Sequence, residues 1–449
     1  MSGKSEPKIP VAPTACPSIS ILFKKISRYF NIYLLIKAFL IAAAFSFFIY
    51  VEALGKSSEL LNTLTGVVAI YFILKADKKE LFWIGFFIGI LWFYWIGLSF
   101  RYYNLFWMIP IVILFVGVVY GIIFWLIGKL TELTTNIFSS FSIYLQPFIK
   151  SLFLSILNYI HPFGFNWFIP ELIFLNSYLE SNKSSFLIIL LSISFLTLYN
   201  RFEMKKKVVF VLAAISLLIF AKKEMQTEPK LAPIKIYLSQ TTIPQDKKWD
   251  PLLQTKIIDE NFKIIEEAIK KRYDLVVLPE TAFPLYLNTR KNILNTLKKM
   301  SEKISIVAGA LHLKEGLSYN STYIFTNGDY IIADKVVLVP FGEAVPLPKP
   351  LAKLVNKVFF NGAEDYKRAK YPTDFEINGV RFRNAICYEA THPLLYKNTP
   401  KYLIAISNNA WFTPSIEPTL QNLIIKYYAK SHRIVVYHST NIAKTAVIW

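Results

Sequence analysis

Cysteine is nearly absent from this 449-residue chain, which carries only Cys16 and Cys387. Two cysteines cannot form a disulfide framework, so burial must stabilise the fold. Cys16, in a polar leader, is expected to be an incidental thiol. Histidine is scarce as well, with five residues: His161, His312, His392, His432 and His438. None stands at tight ligand spacing from Cys387 or from another histidine, so no metal site is expected. A glycine-rich phosphate loop is also missing. Acidic residues number 30 against 50 lysines and arginines, a formal charge of +20. No basic block is interleaved with aromatics outside the first half, which argues against nucleic-acid binding. The charge instead fits lysines flanking membrane spans and a basic soluble face, with attraction to anionic head groups.

Apolar side chains are in excess, at 54% of residues with 16% aromatic. Long apolar runs fill the first half, and about seven spans are expected over residues 29–222. They lie near 30–54, 58–75, 81–100, 107–130, 150–175, 184–200 and 206–222. The fifth is interrupted by His161-Pro162-Phe163-Gly164. Lys75, Lys78 and Lys79 form one basic loop, and Arg201 with Lys205, Lys206 and Lys207 another. With the basic leader at 1–28, the positive-inside rule places the N-terminus in the cytoplasm. An odd number of spans then delivers the remainder to the other side, which in a bacterium is the periplasm or the outer membrane face.

After a charged linker at 223–232 the pattern changes. Apolar runs shorten and are bounded by Gly, Pro, Asn and Asp, the signature of strands. Strands are expected at 234–240, 274–279, 304–311, 322–326, 330–339, 380–387 and 402–407. Helical periodicity fits 251–272, 288–303 and 418–431. Alternating strands and helices over 233–449 argue an α/β domain whose sheet faces are covered.

Three residue types recur at the edges of these strands. Glu280 closes Asp274-Leu275-Val276-Val277-Leu278-Pro279, Lys335 precedes Val336-Val337-Leu338-Val339, and Cys387 follows Asn384-Ala385-Ile386. A thiol accepts an acyl group only as thiolate, so it needs a base or a positive field. Glu280 would be the base. Lys335 and the backbone N–H of Tyr388 would neutralise the oxyanion. Glu343 and Glu389, near the lysine and cysteine in sequence, would hold Lys335 charged and in place. Taken singly, each of these residues is more often an ordinary core or strand-end residue, and the weight lies in their co-occurrence. A cysteine–histidine dyad through His392 or His438 is an alternative.

At these positions the chain resembles the nitrilase superfamily, whose catalytic set is Glu–Lys–Cys on an αββα sandwich. The resemblance covers about 230–449. It rests on Leu278-Pro279-Glu280-Thr281-Ala282, Asp334-Lys335 with Leu338-Val339-Pro340-Phe341-Gly342-Glu343-Ala344-Val345-Pro346, Ile386-Cys387-Tyr388-Glu389, and Ser407-Asn408-Asn409-Ala410-Trp411-Phe412. With the multi-span first half, the lysine motif and the last segment are similar to the apolipoprotein N-acyltransferase family of bacterial inner membranes. That pattern carries further strands and a closing span past the position of Trp449. The resemblance implies acyl transfer from a phospholipid donor, phosphatidylethanolamine, through a thioester on Cys387 to the N-terminal diacylglyceryl-cysteine of apolipoproteins, with no metal or soluble cofactor; a monomer is expected, because one chain can fill each role.

Trp167, Trp411 and Phe412 are expected to help bind substrate, with Phe163–Phe168 as an interfacial wall. The apolar loop Leu347–Phe360 is expected to dip into the head groups. A membrane-tethered amidase using water, a lipid- or lipoprotein-binding protein without catalysis, and a transporter are the competing readings. Sparse intramembrane charge, with Lys37 the main case, speaks against the last.

Overall fold

A computed structural model describes residues 30–137, 142–224, 228–359, 364–398 and 400–449. The leader at 1–28, Cys16 within it, and Phe360 lie outside these residues. The first half is helical: α1 Ile32–Ala53, α2 Glu59–Lys75, α3 Lys78–Phe93, α4 Met108–Asn136, α5 Ser142–Ser155, α6 Lys183–Thr197 and α7 Met204–Phe220. Four stretches are long and apolar enough to cross a membrane: Ile32–Ala53, Met108–Asn136, Ser142–Gly164 and Lys183–Arg201. A fifth is a pair, Lys78–Phe93 and Trp95–Tyr103, bent by 44°. α2, at 17 residues, and Lys207–Phe220 are shorter.

α3 begins at a capping box in which Asp77 and Glu80 satisfy each other's backbone N–H groups. It then crosses α4 at close range. A Cβ on Gly85 would stand 2.5 Å from the Tyr120 carbonyl oxygen, so the approach requires glycine.

The segment expected as the fifth span is different in the structure. α5 stops at Ser155, and the chain continues in short 3-10 turns at Leu157–Tyr159, Pro162–Gly164 and Pro170–Phe174. Two prolines and Gly164, at φ 80°, prevent a continuous helix. Residues Trp167–Leu175 are buried, and Trp167 reaches the second half at Tyr388 and Thr391.

The second half contains two six-stranded sheets. The first comprises β1 Ile236–Leu238, β3 Leu275–Val277, β5 Ser305–Lys314, β6 Leu317–Thr326 and β7 Asp329–Asp334 in that order, with β4 Phe283–Tyr286 on β5. The second runs β12 Ala446–Ile448, β11 Val435–Asn441, β10 Tyr402–Asn408, β9 Val380–Ile386 and β8 Asp374–Ile377, with β2 Gln240–Thr241 on β11. Leu275, Val277, Val307 and Ile324 from one sheet meet Phe382, Ile404, Ile406 and Val435 from the other in a common core. The outer face of the first sheet is covered by α8 Pro251–Lys270 and α9 Lys291–Met300, through Ile258, Ile265, Leu294 and Leu297.

The other outer face carries α11 Glu417–His432. There Leu403, Ala405 and Val436 of the sheet, Leu420 and Ile424 of α11, and Phe45 and Trp92 of the helical half form one continuous cluster. The architecture is therefore a helical membrane part packed on the α11 side of an αββα sandwich.

Two local expectations change. The strand expected over 330–339 ends at Asp334. Beyond it the N–H groups of Val336 and Val337 bond the Glu389 carboxylate, and that of Val339 bonds Glu343. Side-chain acceptors have replaced the ladder. The expected loop at 347–360 contains a helix, α10 Lys349–Phe359, with Leu351, Leu354 and Val358 exposed beside Lys353 and Lys357.

Candidate active site

Glu280 lies just past β3, with its side chain nearly buried. Its Oε1 accepts from Asn320 Nδ2 at 2.8 Å and its Oε2 from the Asn408 backbone N–H at 2.8 Å. Its backbone carbonyl accepts from Lys248 Nζ at 2.9 Å. The turn depends on Gly309 of β5, where a Cβ would stand 2.7 Å from Glu280 Cα and 2.4 Å from the Thr281 nitrogen. Thr281 itself takes the left-handed conformation, φ 49°. Glu280 is thus held by backbone fit as well as by hydrogen bonds.

Lys335 follows β7 and is 0% exposed. Its Nζ meets both oxygens of Glu343, at 2.9 and 2.8 Å, and stands 3.9 Å from Glu280 Oε1. Asn320 Nδ2 bridges the two carboxylates, donating to Glu343 Oε1 at 2.7 Å as well. Burial works to lower the Lys335 pKa, but Glu343 and then Glu280 outweigh it and hold the amine charged above its ordinary range.

Cys387 terminates β9 with φ 53° and opens a 3-10 helix, Cys387–Thr391. It is a free, partly buried thiol. Burial and Glu280 push its pKa up, while Lys335 opposes them. The balance favours the protonated thiol over the thiolate. Glu389 fixes the turn. Its Oε1 accepts from the Ile386 N–H at 2.8 Å, and its Oε2 from the Val336 and Val337 N–H groups at 2.8 and 3.2 Å. One carboxylate thereby ties the cysteine turn to the strand-end that carries Lys335. It acts on the lysine through the backbone, whereas Glu343 touches the amine. Burial raises its pKa to about 7.

The side chain of Tyr388 packs into the helical half. Its ring stacks on Phe165 and Trp167 at 5.7 and 6.1 Å, and its hydroxyl accepts from the Asn166 N–H at 3.1 Å. Trp167 Nε1 donates to Thr391 Oγ1 at 2.6 Å. Trp411 stacks on Tyr103, and Phe412 meets Trp95 edge-on at 4.8 Å. These three aromatics, expected as substrate contacts, join the two halves around the cysteine.

The histidines take other roles. His438 is fully buried between Ser407 and Asn422, and burial lowers its pKa to about 3. His392 accepts from the Leu394 N–H as a cap. Neither is bonded to Cys387, so the dyad alternative finds no geometric support. Among the described residues no cluster of His, Cys, Asp or Glu is arranged to hold a metal ion.

Sequence reasoning missed Asn320, Lys248 and Gln421 as site residues. Asn320 is a buried polar residue within a strand, and such residues are rarely placed without a partner. Gln421 donates from Nε2 to Cys387 Sγ at 3.7 Å, from a helix that periodicity alone reads as packing.

The chain matches two family models. Residues 32–221 match the apolipoprotein N-acyltransferase integral membrane domain, and residues 238–448 match carbon-nitrogen hydrolase. It is similar to a protein of Wolinella succinogenes named apolipoprotein N-acyltransferase, with 43% identity over 91% of this chain and 94% of that one. A Campylobacter jejuni protein of the same name is 34% identical over 96% and 93%. Among solved structures, a carbon-nitrogen hydrolase superfamily protein of Xanthomonas campestris with an arsenic adduct in its active site aligns at TM-score 0.37 and 15% identity, covering 49% of this chain and 80% of that one.

Proposed function

The chain belongs to the apolipoprotein N-acyltransferase family, and from that premise we propose a mechanism of acyl transfer through Cys387. The observation that carries it is the meeting of Glu280, Lys335 and Cys387 at the end of the sandwich that faces the membrane half. There Tyr388 stacks on Phe165 and Trp167.

In the first half-reaction Glu280 takes the Cys387 proton, and the thiolate attacks the carbonyl carbon of a phospholipid ester. Negative charge on the former carbonyl oxygen is met by Lys335 Nζ and by the N–H of Tyr388, at the start of a 3-10 helix where N–H groups lack helical partners. The ester C–O bond then breaks. Glu280 returns its proton to the lysophospholipid oxygen, leaving a thioester. In the second, the neutral α-amine of a diacylglyceryl-cysteine attacks the thioester. Glu280 takes the amine proton, the C–S bond breaks, and the released thiolate is reprotonated as the amide leaves.

Three features support a membrane setting. Both substrates carry acyl chains, and withdrawing these from the bilayer costs about 0.8 kcal/mol per methylene. The aromatic wall of Phe165, Trp167, Trp95 and Phe412 lies between the cysteine turn and the helices. Limited water access favours attack by the amine over hydrolysis. The donor in this reading is phosphatidylethanolamine, the enzyme works as a monomer, and the catalytic half faces the periplasm, opposite the basic loops at Lys75–Lys79 and Arg201.

The test is incubation of the purified enzyme with phosphatidylethanolamine and a synthetic diacylglyceryl-cysteine peptide. The peptide should gain the mass of one acyl chain, while an N-acetylated peptide gains nothing. Release of free fatty acid at the same rate with and without peptide, and no mass gain, would make water the acceptor and overturn the proposal.

A further inference from the structure

Cys387 has a neighbour that the Glu–Lys–Cys scheme does not use. Gln421 lies on α11, 1% exposed, and its Nε2 is 3.7 Å from Cys387 Sγ. An amide can present either its oxygen or its nitrogen, and only the nitrogen end favours a thiolate. In the structure the nitrogen end faces the sulfur. Asn409 Nδ2 donates to Gln421 Oε1 at 3.0 Å and to Glu417 Oε2 at 2.9 Å. Both Asn409 and Glu417 are 1% exposed. With its oxygen turned to Asn409, Gln421 presents its N–H donors to Cys387.

Glu417 completes the arrangement by holding the second hydrogen of the Asn409 amide. Burial raises its pKa to about 8, so near neutral pH it takes that bond largely without an added negative charge beside the sulfur. Asn409 directly follows β10, and Glu417 and Gln421 lie one helical turn apart on α11. Three residues from two elements thus form a single oriented chain ending on the nucleophile.

We infer that Gln421 is a further catalytic residue of this enzyme, donating a hydrogen bond to the Cys387 thiolate, with Asn409 and Glu417 as positioning residues that fix its amide. The inference rests on the reading of Cys387 as the acyl-carrying nucleophile. The thiolate forms twice in each cycle, once before attack on the donor and again when the amine displaces it. A donor that strengthens its bond as negative charge develops on sulfur lowers both barriers. Lys335 cannot serve this purpose alone, because its amine is engaged with Glu343 and is needed at the oxyanion.

The test is the pH dependence of Cys387 alkylation by iodoacetamide in the full-length enzyme in detergent, read by peptide mass spectrometry so that Cys16 is counted separately. The charged and titratable groups acting on Cys387 are Glu280, Lys335, Glu343 and Glu417, with Lys248 close by. All are left intact in the Gln421 variants. Gln421→Met should raise the alkylation midpoint by about one pH unit, the scale of one hydrogen bond to a charged group. The isosteric Gln421→Glu should raise it further, because a carboxylate then faces the sulfur. Asn409→Asp, which can no longer donate to the Gln421 oxygen, should produce a smaller rise in the same direction.

A purely structural role would slow the reaction or lower stability without moving the midpoint. Unchanged midpoints in Gln421→Glu and Gln421→Met would overturn the inference, as would a drop. The same samples given phosphatidylethanolamine separate the two levels of argument. If the wild-type enzyme gains no acyl group on Cys387, the nucleophile assignment fails. If it gains one and the midpoints do not move, only the role of Gln421 fails.

Discussion

Glu343→Gln is the sharpest perturbation of the site, because it removes one charge and almost no volume. Lys335 Nζ sits with 0% exposure between two oxygens of Glu343, and Glu280 Oε1 at 3.9 Å is the remaining carboxylate partner. Breaking a buried pair by removing one member costs about 3–5 kcal/mol, and the retained amide oxygen places this variant near the lower end. The kinetic effect should be of similar size to the effect on stability. With Glu343 neutral, Lys335 can keep its charge only by leaning on Glu280, which ties the proposed base to the proposed oxyanion donor. Losing one such donor costs about 10²–10³ in rate, so acylation of Cys387 by phosphatidylethanolamine should slow by that factor.

The pH profile supplies an independent sign. In the wild type the lysine pKa is raised, so its stabilisation is complete below the ordinary lysine value and is lost only as pH climbs through the higher folded value. In the variant, burial is no longer outweighed and the folded value falls, so activity should decline at lower pH than in the wild type. Single-turnover acylation measured by intact mass between pH 6 and 10 reads both effects. An acylation rate within threefold of wild type, with the same alkaline limb, would refute the reasoning.

Three further outcomes are expected. Gly309→Ala should lower activity at least tenfold and destabilise by about 1–3 kcal/mol, because its Cβ must displace the Glu280 backbone; thermal unfolding and acylation rates check this, and a silent substitution would remove the close-fit argument. Glu389, with its pKa raised from 4.5 to about 7, favours the protonated form on folding, so its contribution to stability falls as pH rises from about 4.5 to 7; Glu389→Gln should flatten that slope in pH-dependent unfolding and also slow acylation, since an amide cannot accept from all three N–H groups. Trp167→Phe should cost about 1 kcal/mol through the lost bond to Thr391 and reduce activity less than tenfold, measured as a fall in Tm beside the turnover rate.

Much of this was legible in the sequence because strand ends are marked by sharp changes of residue type. The strands that end before Glu280 and Cys387 read clearly from apolar runs bounded by proline and charge. The αββα arrangement came from resemblance, because alternation alone does not say how two sheets stack. The stretch after Asp334 misled because Val336–Val339 has strand composition, while its N–H groups are taken by Glu389 and Glu343, more than fifty and a few residues away. Such capture by distant carboxylates leaves no periodic trace. α10 was missed because its apolar positions face outward, and an unpartnered face reads like a loop. Asn320, Lys248 and Gln421 were invisible for a simpler reason: each matters only through a partner on another element.

The central claim is that Cys387 carries the acyl group, and its most direct test is the intact mass of the purified enzyme after incubation with phosphatidylethanolamine alone, beside Cys387→Ala. The account predicts one added acyl chain on the wild-type enzyme, removable by hydroxylamine, and none on the variant. An adduct of equal size on Cys387→Ala, or turnover to acylated lipopeptide by that variant, would contradict it.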